Sequence, residues 1–108
     1  MRTGAPSCSA YTSGVEQQAV QRRLTEVHER LVRARQELAI AEEQLAVFDD
    51  TADDARIRSL VSETPLANHD WNEARRHADA YRRGRDLALA QVAELERAQD
   101  ELLAKLVV

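Results

Sequence analysis

Apolar residues recur along most of this chain at alternating steps of three and four. The first run is Val20, Leu24, Val27, Leu31, Ala34, Leu38, Ala41, Leu45, Phe48, Ala52 and Ala55. Within it Leu24, Leu31, Leu38 and Leu45 fall seven apart, and neither Gly nor Pro interrupts residues 15–61. That spacing puts the apolar side chains on one stripe of an α-helix, the signature of a coiled-coil strand. The second run is Ala67, Trp71, Ala74, Ala78, Tyr81, Arg85, Ala88, Val92, Leu95, Gln99, Leu102 and Leu106. Arg85 and Gln99 occupy stripe positions in it. Polar residues there cost stability but specify register and partner number. Gly84 lies inside this second run, where Gly costs about 1 kcal/mol relative to Ala.

The ends of the two runs carry helix signals. Ser13-Gly14-Val15-Glu16 reads as a capping box, in which the Ser hydroxyl and the Glu carboxylate satisfy each other's orphan amides. Thr64 suits an N-cap, and Pro65 suits the first helical position, where no partner for an N–H exists. The pattern predicts an all-α fold: a long antiparallel two-helix coiled-coil hairpin, with helices over about 14–61 and 65–106. Arms of that length span about 60–70 Å at 1.5 Å per residue. Residues 1–12, small and polar with Gly4 and Pro6, are expected to form a disordered tail ahead of a helical domain over 13–108.

Two registers compete. A reversal at Ser62–Thr64 sets Phe48 against Ala78, Leu45 against Tyr81 and Ala55 against Trp71. A reversal within Asp49–Asp54 sets Phe48 against Trp71 and Leu38 against Tyr81, with Thr51 to Asp54 starting a short helix over 52–61. Both pack apolar residues acceptably. The charges favour the later turn, which brings Asp49 near Arg75, Glu42 near Arg82, Arg58 near Asp70 and His28 near Glu96. Each exposed pair contributes only about 0.2–1 kcal/mol, but flanking charges bias register in coiled coils when several agree. The exposed end of the hairpin is then Leu60, Val61, Glu63, Pro65 and Leu66, the expected partner-binding tip.

Composition narrows the function classes. Of 108 residues 31% are charged and 4% aromatic, and the net charge of −4 comes from interleaved signs, which argues against a general nucleic-acid binder. Fourteen Arg against one Lys point to a GC-rich, bacterial coding sequence. Cys8 is the sole cysteine, so neither an internal disulfide nor a cysteine metal cluster can form. No apolar run approaches the roughly 18 residues of a membrane span. The first residues also lack the apolar core of a secretory signal, so a cytoplasmic location is expected.

Three clusters carry candidate chemistry. The acidic run Asp49, Asp50, Asp53 and Asp54 would hold a hard cation such as Mg²⁺ only with ligands from another molecule. The competing reading is a solvated helix face paired with Arg75, Arg76, Arg82 and Arg83. Those same arginines, with Tyr81 available for stacking, form a candidate basic patch for nucleic acid. His28, His69 and His77 are not expected to make a metal site: His69 and His77 are eight apart, and no carboxylate is expected at the i+4 position that helical metal motifs use. Glycine-rich phosphate loops, nucleophile elbows and an enclosed pocket are all missing from the pattern, so no catalytic residue and no cofactor is expected. Finally Val32, Ile40, Val47, Leu87, Leu89 and Leu103 lie off the main stripes and form a second, weaker apolar stripe. It points to association with a second copy, as a four-helix bundle, or to docking on a partner helix.

Asp50, Asp53 and Ala55 also spell Asp-x-x-Asp-x-Ala, which resembles the coiled-coil tip motif of the DksA/TraR transcription factors. The resemblance covers six residues. It implies a regulator that inserts its acidic segment into the secondary channel of RNA polymerase, with Asp50 and Asp53 acting there. The four-Cys zinc finger of that family has no counterpart in this chain. The principal expectation is a non-enzymatic coiled-coil module that binds a protein partner, including itself.

Overall fold

The computed structural model describes residues 4–107, with side chains for residues 14–106. Two helices make up the fold, α1 (Gly4–Ser62) and α2 (Pro65–Val107), joined by Glu63 and Thr64. α1 begins ten residues ahead of the start that the Ser13 capping box suggested. Pro6 falls in its first turn, where backbone amides have no helical partner and proline is tolerated. The Ser13 and Cys8 side chains lie outside the described residues. So do residues 1–3 of the expected tail, whereas residues 4–12 continue α1.

The link between the helices is held by its own backbone. Glu63 takes φ 51° and donates its N–H to the Ser59 carbonyl at 3.0 Å, closing α1 with a left-handed residue. The Thr64 hydroxyl accepts from the Ala67 amide at 3.2 Å, and the Thr64 carbonyl accepts from the Asn68 amide at 3.1 Å. That is the N-cap geometry expected of Thr64-Pro65. One bond joins the two sides of the turn: the Ser59 hydroxyl donates to the Asn68 side-chain carbonyl. Ser59 is buried at 6% exposure, and that partner satisfies it.

The chain divides into two units, one over residues 34–92 and one formed by the described residues up to Arg33 and from Ala93 onward. Every apolar stripe position named for α1 and every position named for α2 is buried or half-buried. Arg85 and Gln99 are half-buried among them, as polar seam residues should be. The seven-residue repeat therefore holds throughout both runs.

In the unit around the turn, Leu45, Ala55, Ala78 and Val92 are buried. Phe48 stacks on Tyr81 with ring centroids 4.1 Å apart and planes 10° from parallel, and His77 meets Phe48 edge-on at 6.2 Å. Phe48 thus sits between residues 77 and 81, as the later turn requires. The alternative, with Phe48 against Trp71 and a reversal at the aspartates, is overturned.

Two charge expectations are corrected. Arg82 bonds Asp49 at 2.8 Å, not Glu42, and Arg75 lies over the Trp71 ring at 5.6 Å, not beside Asp49. Helical side chains lean toward the N-terminus of their own helix. For α2 that direction is toward the turn, which carries the long Arg82 guanidinium past Glu42 to Asp49.

In the other unit, Leu31 is fully buried, and Leu95 and Leu102 are buried with it. Val20 and Ala104 line one surface groove, and Val27 and Ala98 line the next, so α1 and α2 are antiparallel here too.

Candidate partner-binding site

The hydrogen-bonded turn carries exposed apolar side chains. Ile57, Leu60 and Val61 follow i, i+3, i+4 spacing and share one face of the end of α1, at 58%, 64% and 80% exposure. Leu66 opens α2 on the other side of the turn at 70% exposure. Glu63 and Pro65 are exposed between them. All five tip residues expected from the sequence therefore lie at or beside the reversal. Ile57 was missed, although its spacing to Leu60 and Val61 was readable. A shallow groove of about 220 Å³ borders the turn, lined by Ala55, Arg58, Ser62, Thr64, Leu66, Ala67 and Asp70. Small-molecule sites run to about 300–1,000 Å³, so this groove has the scale of a side-chain contact. Arg58 and Asp70, expected to be neighbours, line it together, with Arg58 Nε donating to the Asp54 carbonyl at 3.4 Å.

The acidic run lies within unbroken helix. Thr51 donates its hydroxyl to the Val47 carbonyl at 3.1 Å, so even this β-branched residue is accommodated inside the α1 ladder. Asp49 is half-buried against Arg82, whereas Asp50, Asp53 and Asp54 are exposed. Asp54 and Asp50 precede the end of α1 by about 12 and 18 Å along the axis at 1.5 Å per residue. Ala55, the last residue of the Asp-x-x-Asp-x-Ala pattern, is a seam residue at 3% exposure. The motif therefore occupies a helix flank, not a tip.

The basic residues are likewise divided. Arg82 bridges Asp49 at 2.8 Å and Asp79 at 3.1 Å. Arg75 is engaged by Trp71, and Arg76 and Arg83 are exposed. Arg85, half-buried at its seam position, turns its Nε outward to Asp86 at 2.8 Å. His69 pairs with Glu73, four residues on, at 3.5 Å. A carboxylate therefore does stand at the i+4 position of His69, where none was expected.

The second apolar stripe is corrected in its geometry. All six of its residues are exposed, but the four that lie within residues 34–92, Ile40, Val47, Leu87 and Leu89, do not form one surface. Within the unit over residues 34–92 the Asp49–Arg82 bridge marks one flank of the helix pair, and heptad spacing from Arg82 carries Leu89 onto the corresponding position of α2. Arg58, Asp70 and Leu66 mark the opposite flank. Spacing of seven from Leu66 carries Ala80 and Leu87 to that side, and Ile40 and Val47 occupy the matching positions of α1.

No family model, no curated protein and no solved structure matches this chain. No described helix is long and apolar enough to cross a membrane.

Proposed function

We propose that this chain is a non-enzymatic helical-hairpin interaction module whose turn docks into an apolar concavity on a protein partner, and which associates with a second copy of itself as a four-helix bundle. The observation that carries the reading is the turn itself. Four large apolar side chains stand 58–80% exposed on a reversal fixed by a left-handed cap, an N-cap and a cross-turn side-chain bond. Apolar anchors held on a preorganised backbone lose little freedom on binding, which is the arrangement that yields affinity from a small contact. The arginine-rich composition supports a bacterial source, and the bacterial cytoplasm is the proposed setting.

A photo-crosslinking residue at position 61 tests the docking half. The expected outcome is a defined protein adduct that disappears in Leu60→Asp and Leu66→Asp while helix content by circular dichroism stays unchanged. Adducts that persist in both variants, or none at all, would dispose of the tip as a binding site.

A further inference from the structure

The two flanks of the unit over residues 34–92 differ in charge. On the flank marked by Asp49 and Arg82, the positions beside the seam carry Arg35, Glu42 and Arg56 on α1 and Arg75 on α2, with Leu89 the one large apolar residue among them. On the opposite flank the corresponding positions are Gln44 and Thr51 on α1, and His77, Gly84 and Gln91 on α2. Just outside them stand Ile40 at 54%, Val47 at 62% and Leu87 at 74% exposure, with Ala80 exposed as well. Ile40 and Leu87 share one level of the helix pair and Val47 and Ala80 the next, as follows from the Phe48–Tyr81 register. Charges resume at the rim, with Glu37, Arg58 and Asp70. An apolar, uncharged centre with a polar rim is the anatomy of a protein interface.

Gly84 lies in the middle of this flank. Its backbone is helical, with no left-handed φ that would call for glycine, and a Cβ placed there would meet nothing within 4 Å. Neither the turn of the chain nor packing within it therefore accounts for a residue that weakens a helix interior. A missing side chain on an exposed apolar flank lets another backbone approach closely.

We infer that a second copy of this chain covers the flank formed by Ile40, Val47, Ala80, Gly84 and Leu87, with Gly84 at the point of closest helix approach. A symmetric pair sets a patch against itself, so an uncharged patch meets its own copy without like-charge repulsion, where the Asp49–Arg82 flank would present charges. This inference rests on the interaction-module reading but is independent of its tip.

Sedimentation equilibrium on the full chain, with circular dichroism as the control for folding, tests it. The native chain is expected to dimerise, and Leu87→Asp and Gly84→Gln are each expected to weaken the dimer about ten-fold or more without loss of helix. Leu89→Gln, on the charged flank, should leave the dimer intact, as should Val61→Asp at the tip. A strictly monomeric native chain would overturn the inference. So would a dimer that ignores Leu87→Asp and Gly84→Gln, or one that Leu89→Gln dissociates. A monomer that still gives the tip adduct removes this dimer and spares the docking reading. A dimer without the adduct does the reverse.

Discussion

Asp49–Asp54 and Ser62–Pro65 both look like places where a helical chain might reverse, and only the second does. The aspartates are polar and weak helix formers, but each keeps its backbone N–H and none demands a special dihedral angle. Their neighbours Phe48, Ala52 and Ala55 continue the seam, so helix formation there is supported by burial. At the turn the opposite holds. Pro65 has no N–H to donate and disfavours helical geometry in Thr64, which acts as a cap in consequence. A run of charge is thus compatible with a helix that has an apolar stripe to bury, and a missing backbone donor is not. Exposure follows from that difference, placing aliphatic side chains at the reversal and carboxylates along a flank.

The contrast can be probed with the same residue types in both places, using urea unfolding of the full chain. Thr51→Pro, at an exposed site in the acidic run, is expected to cost about 3 kcal/mol or more, because it removes a ladder bond and clashes with the preceding turn. Pro65→Ala should change stability by no more than about 1 kcal/mol. Equal losses from the two would mean that the acidic run is not continuous helix. Thr64→Ala should cost about 1 kcal/mol through the lost cap to the Ala67 amide, and Thr64→Ser should restore most of it.

Glycine should act with opposite sign in the two places. Glu63→Gly relieves a left-handed φ of 51° and is expected to stabilise by about 0.5–1 kcal/mol. Asp50→Gly, in helix, should destabilise, by about 0.3 kcal/mol because Asp is itself a weak helix former. The Asp49–Arg82 bridge is also expected to be weak. Both side chains are at least 40% exposed, so a double-mutant cycle should return only about 0.2–1 kcal/mol, shrinking as salt is added. A larger, salt-independent coupling would mean that the flank is covered in solution.

Much of the fold was legible because it depends on local periodicity. Steps of three and four placed each named seam residue, and Thr64-Pro65 placed the turn, without reference to any partner segment. Ser59 escaped notice because the stripe was read through apolar residues alone. The step of four from Ala55 lands on it, and its bond to Asn68 is what allows a hydroxyl to be buried there. The start of α1 was misplaced for a related reason: a capping box marks where a helix can begin but does not oblige it to begin there.

Cross-helix detail was not legible in the same way. Which carboxylate Arg82 meets depends on the lean of its side chain and on axial register to within one turn, and neither is encoded in the spacing along a single strand. The same applies to the apolar residues outside the seam. Sequence distance groups Ile40, Val47, Leu87 and Leu89 in one stripe, whereas the pairing of α1 with α2 sends Leu89 to one flank and the other three to the opposite one.

One physical division runs through these outcomes. Seam, caps and reversal follow from interactions a residue makes within a few positions of itself, so they can be read from order alone. Ion partners, the aromatic stack and the neutral flank exist only where two helices meet, because their energies depend on distances between atoms far apart along the chain.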